Sequence, residues 1–229
     1  QGQSHVFKAS WHFVTGMGYP HPVENGLAWH PTLGVPYLTG AAVKGMVRSW
    51  MEVWQGATEA ELRRWFGSET KDPEKLADNP PIAGELVFFD ALPIAPVTLT
   101  VDIMTPHMGK WYEQGGEITS VANSPDAVPA DWQDPIPVQY LVVKKAQFLF
   151  GVAPRRQGKL PEGEIQTVLD KLADALGFMG AGAKTAVGYG QMTRKDDLKT
   201  ELKRKQQQQA QERQQKQAQD KADQDYKES

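Results

Sequence analysis

Gly177-Phe178-Met179-Gly180-Ala181-Gly182-Ala183-Lys184-Thr185-Ala186-Val187-Gly188-Tyr189-Gly190 is the stretch on which the fold turns. At first sight residues 177–185 resemble a nucleotide-binding P-loop, which lies between a strand and a following helix. Two features argue against it. A P-loop sets glycine directly before Lys-Ser/Thr, whereas Ala183 stands between Gly182 and Lys184. The stretch also follows a helix, because Ile165, Val168, Leu169, Leu172 and Leu176 recur at helical spacing, and it enters a strand expected over 186–193. No nucleotide cofactor is expected.

Working outward, Phe7, Ala9, Trp11 and Phe13 alternate with Lys8, Ser10 and His12, the period of a half-buried first strand. Val43, Val47, Trp50 and Trp54 fall at helical spacing, with Thr39 as the cap. Leu62, Trp65 and Phe66 suggest a second short helix. Residues 84–90, 98–104 and 139–150 read as strands, and 106–137, rich in Pro, Gly and Asp, as an insertion or long loop. The order is β-α-β-β-α-β with additions, an α+β ferredoxin-like plan.

The domain is expected to span 1–194. From 195 to 229 the chain is glutamine-rich and of mixed charge, with Leu198 and Leu202 its large aliphatics, so a disordered tail or solvated helix is expected. There is no cysteine, no apolar run near the roughly 20 residues that span a bilayer, and no signal-like start, so the expected location is the cytoplasm, with no membrane partner. The formal charge of −3 is not that of a free-standing nucleic-acid binder, so any phosphate contact must be local.

Two segments offer such contacts. The small residues of 180–185, ending in Lys184-Thr185, let backbone amides approach an anion closely; equally, their glycines serve a tight packed connection, and spacing favours neither. Near the start of the first helix, Thr39, Gly40, Lys44 and Arg48 offer amides and two cations on one face, although a solvated basic face with ordinary salt bridges gives the same pattern. The histidines form no close metal-binding pair, and no metal site is expected. Asp102, with His107 five residues on, is the best acid–base candidate, and His12 and His30 are the suspects for deprotonating a ribose hydroxyl.

Pro36-Tyr37-x-x-Gly40-Ala41-x-x-Lys44-Gly45-x-x-Arg48 together with a loop ending in Gly188-Tyr189-Gly190 resembles the RAMP superfamily, the repeat-associated proteins of CRISPR systems. Residues 21–26, 32–37, 88–91, 102–107 and 182–190 extend the similarity toward the sixth-subunit group of the Cmr, or type III-B, effector. The family's serine at the small helix positions is replaced here by Ala41 and Ala42.

The resemblance implies a non-catalytic subunit of a ribonucleoprotein, capping the backbone near the 3′ end of a guide RNA that pairs with target RNA. Its partners would be guide RNA, target RNA and other Cmr-type backbone subunits. The implied RNA contacts are Thr39, Gly40, Lys44, Arg48, Gly180, Gly182, Ala183, Lys184, Thr185 and Tyr189. Trp111 and Tyr112 in the insertion would stack on a base or meet a partner. A guide-processing endoribonuclease and a pure protein–protein scaffold are the alternatives.

Overall fold

In the computed structural model, which describes every residue except 23–24, 69–79, 119, 121–127, 130–133, 159 and 196–229, the expected first strand is two. β1 (Gln3–Ala9) and β2 (His12–Phe13) break at Ser10 and Trp11. Among the described residues six further strands follow in chain order, β3 (Leu86–Phe88), β4 (Leu92–Pro93), β5 (Thr98–Met104), β6 (Val138–Lys144), β7 (Gln147–Pro154) and β8 (Met192–Arg194), and an isolated bridge Trp29↔Pro36 closes a separate turn. One sheet runs β3-β7-β1-β8, with β4 also on β7; the other runs β2-β6-β5.

The strand expected over 139–150 also divides, at the level where the first one does. Lys145 adopts a left-handed φ of 53°, and the amide of Ala9 donates to the carbonyl of Ala146 at 2.9 Å. β1 pairs antiparallel with β7 in the first sheet, and β2 pairs antiparallel with β6 in the second. Two neighbouring chain segments thus pass together from one sheet to the other. Apolar alternation persists through the bend, so periodicity alone does not reveal it.

The helices are α1 (Gly40–Ser49), extended by a π turn at Trp50–Trp54, α2 (Glu59–Phe66), α3 (Gly109–Gln114) and α4 (Glu164–Phe178). Thr39 caps α1 by accepting from the Ala42 amide at 3.2 Å. Thr58 and Glu61 form a reciprocal capping box at α2. Alternate residues Phe7 and Ala9 of β1, and Phe148, Phe150 and Val152 of β7, are buried in one core with Val43, Val47, Leu62, Leu169 and Leu172 from the helices. Each large side chain buried there contributes roughly 1.5–3 kcal/mol of transfer free energy. A smaller core holds Val14, Leu27, Tyr140, Val142 and Tyr189. Glu164 joins α4 to α2, accepting from Arg64 and, at 2.7 Å, from the Trp65 indole.

The last strand is shorter than expected. Residues Thr185–Val187 form a 3-10 turn, and Gly188 and Gly190 have φ of 91° and 69°, which an extended strand does not accommodate; β8 begins only at Met192. Part of the 106–137 insertion is described and contains α3. The chain divides into units Gln1–Thr193 and Arg194–Ser229, and the tail expected at 195–229 lies, from residue 196, outside the described residues. No helix among the described residues is long and apolar enough to cross a membrane.

Candidate nucleic-acid interface

The glycine-rich loop and α1, separated by more than a hundred residues of sequence, face one another across a groove of about 380 Å³. Gly180, Ala181, Gly182, Ala183 and Thr185 line one wall; Leu38, Ala42 and Met46 line the other, with Thr15 and Gly16 between. The lining is mostly small residues, with the larger side chains of Leu38, Met46 and Met179 among them.

Packing requires the glycines of this loop. A Cβ at Gly190 would stand 1.8 Å from the Ala181 carbonyl oxygen, and one at Gly182 would stand 2.2 Å from that of Val14. Gly180 and Gly182 also have φ of 74° and 90°. The loop is pinned by Ala183 donating to Val14 at 2.7 Å and Gly190 donating to His12 at 2.8 Å. Within that frame the amides of Gly182 and Lys184 have no acceptor among the described residues, while Gly182 is exposed. The tight connection thus leaves two backbone amides of the loop without a backbone acceptor among the described residues.

Lys184 is held in the left-handed region at φ 57°. Its ammonium lies over the Tyr140 ring, 5.5 Å from the centroid. A cation at that distance over an aromatic face is attracted by the ring quadrupole.

The start of α1 is differently employed. The Gly40 amide donates to the Asp90 carboxylate at 2.6 Å and the Ala42 amide to Thr39, so this terminus carries its own acceptors. A Cβ at Gly40 would stand 2.2 Å from the Phe88 carbonyl oxygen, which explains the glycine by packing. At about 100° per residue, Ala42 and Met46 fall on one side of the buried stripe of Gly40, Val43 and Val47, and Lys44 and Arg48 on the other. Arg48 lies 3.7 Å from Glu52 and donates to the Gly67 carbonyl at 3.5 Å. Lys44 and Arg48 do not line the groove.

Beside the loop lies a polar network that sequence spacing did not assemble. Asp102 accepts from Tyr189, from the Ile103 amide at 2.8 Å, and pairs with His12 Nδ1 at 3.1 Å. Tyr189 and Tyr140 hydroxyls are 2.9 Å apart. The Tyr189 bond is the main reason the Asp102 carboxyl is held below the usual range; burial opposes it, and Ile103 and His12 reinforce it. Burial, then the neighbouring Asp102, pushes the Tyr189 phenol well above the ordinary range, and burial also raises Tyr140. Tyr189, at 3% exposure, is an internal strut rather than a surface for a ligand.

Asp102 therefore works with His12 and Tyr189, not with His107. His30 accepts from the Leu33 amide at 3.3 Å and packs edge-on against Tyr37 at 5.2 Å, which makes it a turn residue. Trp111 and Tyr112 stand on α3 and are exposed, the latter by 74%. Among the described residues no group of three potential metal ligands gathers. Trp11, Thr15 and Gly16 are neighbours of the site that no motif announced; their signal is position, since they flank β2, to which the loop is hydrogen-bonded.

A family model described as the RAMP superfamily matches residues 11–193. Over 81% of its length the chain is 32% identical to the CRISPR system Cmr subunit Cmr6 of Pyrococcus furiosus, covering 66% of that protein. It is 25% identical over 72% of its length to the Cmr6 subunit of Saccharolobus solfataricus, covering 47% of it. The chain thus spans less than two thirds of the length of these curated relatives. Among solved structures, a chain in the cryo-EM structure of the Type III-B Cmr-beta bound to cognate target RNA shares the fold at a TM-score of 0.59 and 22% identity, with 84% of this chain and 58% of that one covered. The crystal structure of Cmr6 from Pyrococcus furiosus is 27% identical, with a TM-score of 0.45 and coverage of 85% and 98%. With the family model matching from residue 11 to residue 193, the chain belongs to the RAMP superfamily.

Proposed function

We propose that this chain is a non-catalytic, guide-RNA-binding subunit of a type III-B CRISPR ribonucleoprotein effector, located in the cytoplasm and capping the assembly near the 3′ end of the guide. The observation that carries the reading is the meeting of the glycine-rich loop and α1 on one small-residue groove with Lys184 beside it. In this reading the amides of Gly182 and Lys184, the Thr185 hydroxyl and the Lys184 ammonium hold phosphates, which position a strand without reading its bases. Thr39, Gly40 and Tyr189 support the site from within, and Lys44 and Arg48 serve the α2 side of α1.

The strand order β3-β7-β1-β8, with α1 between β1 and β3 and α4 between β7 and β8 in sequence, supports a ferredoxin-like core over 1–194. Similarity to Cmr6 subunits supports the assembly, with guide RNA, target RNA and other Cmr-type subunits as partners. The acidic net charge of −3 suits a subunit that shares its RNA with neighbours.

One observation favours a second reading: His12 is oriented by Asp102, as a general base would be. Against it, Asp102 already receives Tyr189, the Ile103 amide and His12, and its carboxyl is held below the usual range. Ultraviolet crosslinking of the assembled ribonucleoprotein tests the main reading. Guide crosslinks at 180–185 are expected; crosslinks confined to other subunits would leave this chain a protein scaffold.

A further inference from the structure

Trp11 sits in the two-residue bend between the sheets and keeps 49% of its surface exposed, yet its ring is fixed. The indole stacks on the His12 imidazole with centroids 4.6 Å apart and planes 16° from parallel. Its edge meets Tyr189 at 4.9 Å and 60°. His12 in turn is held by Asp102 at 3.1 Å, and its carbonyl accepts from Gly190 at 2.8 Å. A tryptophan braced on two sides loses little rotamer freedom when something lands on its remaining face.

The same residues lead to the phosphate-facing loop. Tyr189 hydrogen-bonds Tyr140, and Tyr140 carries the Lys184 ammonium over its ring. An exposed planar surface therefore stands on the network that bears the cation and the open amides. Planar face plus adjacent anion site is the pairing that an unpaired nucleotide presents, whereas an apolar peptide has no use for the anion site.

We propose that Trp11, braced by His12 and Tyr189, stacks on one unpaired nucleobase of the strand whose phosphates lie on residues 180–185. The proposal rests on the RNA-binding reading above and names a base subsite within it. Every base has a π face, so the subsite tolerates any base.

The test titrates the full chain, at low salt and at several higher salt concentrations, into a single-stranded RNA carrying 2-aminopurine. Wild-type chain should quench the fluorophore on binding. Trp11→Ala should remove the quench and weaken binding about tenfold, the size of one base–aromatic stack, with the salt slope unchanged because a stack carries no charge. Trp11→Phe, which keeps an aromatic face and guards against a folding defect, should retain most of both. Lys184→Ala should lower the slope by about 0.7 while keeping the quench at saturation. If Trp11→Ala binds within twofold of wild type with its quench intact while Lys184→Ala lowers the slope, the stacking proposal fails and the RNA reading stands. If wild type shows no saturable binding, or Trp11→Ala instead releases a protein subunit from the assembly with RNA binding unchanged, the proposal is overturned; in the first of these cases the reading beneath it falls too.

Discussion

Tyr189 donates its hydroxyl to the Asp102 carboxylate, tying the glycine-rich loop to the strand β5. The aromatic residue of the loop's Gly-Tyr-Gly ending is thereby a support beneath the loop, while Gly182 is exposed and Lys184 and Thr185 are half-buried.

Tyr189→Phe should cost about 1–3 kcal/mol, because it leaves Asp102 and Tyr140 short of a partner in a part-buried site. For a chain of this size that is roughly 2–12 °C in thermal midpoint. The phenol's pKa is raised in the fold, so its contribution is complete below the ordinary tyrosine value and declines as pH rises above it. Melting curves from pH 7 to pH 11 should show the wild type losing its advantage over Tyr189→Phe at the alkaline end.

Asp102 has the opposite sign. Its carboxyl is depressed in the fold, so its contribution is complete above the ordinary carboxylate range and is lost as pH falls through the depressed value. Asp102→Asn should destabilise at neutral pH and converge with wild type under acid. In the assembled complex it should leave every target cleavage site in place. Loss of one cleavage site with assembly unchanged would make Asp102 catalytic.

Gly190→Ala should prevent stable folding of the loop, since its Cβ would fall 1.8 Å from the Ala181 carbonyl oxygen at a φ of 69°. Gly188→Ala is the control: it shares a left-handed φ, 91°, but meets nothing within 4 Å, so it should cost about 1 kcal/mol. Equal effects in urea unfolding would mean that close packing is not what the glycine at 190 serves.

ATP should not bind. The loop lacks the direct Gly-Lys step and is followed by the 3-10 turn Thr185–Val187 rather than a helix whose amides could cradle phosphates. Calorimetry should detect no saturable heat; micromolar affinity abolished by Lys184→Ala is the contrary result.

Periodicity located α1, α2 and α4, while α3 lies in the stretch read as an insertion or long loop. The stripe of Ile165, Val168, Leu169, Leu172 and Leu176 is buried on α4, and Thr39 caps α1 as its side chain suggests. β5 matches its expected span of 98–104 because both ends are marked by a change of composition. The strand ends elsewhere were hidden. At Ser10 and Trp11, and at Lys145, the chain changes sheets with no glycine, proline or asparagine to mark the bend, because pairing of β1 with β7 and β2 with β6 imposes it.

The site was legible in its parts but not in its assembly. Small residues around Lys184 and at the start of α1 singled out the two segments separately, yet which flank of α1 faces the loop depends on how Val43 and Val47 dock in the core. That docking turned Lys44 and Arg48 away. His12, Asp102 and Tyr189 were each noticed separately, but only the pairing of β2 and β5 across β6 brings them together.

The most direct measurement is the salt dependence of RNA binding by chains carrying Lys184→Ala or Arg48→Ala. Phosphate contact at the loop predicts that Lys184→Ala lowers the slope of log affinity against log salt by about 0.7 for unrelated RNA sequences alike. Arg48, engaged by Glu52 and the Gly67 carbonyl, should leave the slope unchanged. A slope unaffected by Lys184→Ala, with guide retention intact in the assembled complex, would contradict the account and make the loop a packing element of a protein scaffold.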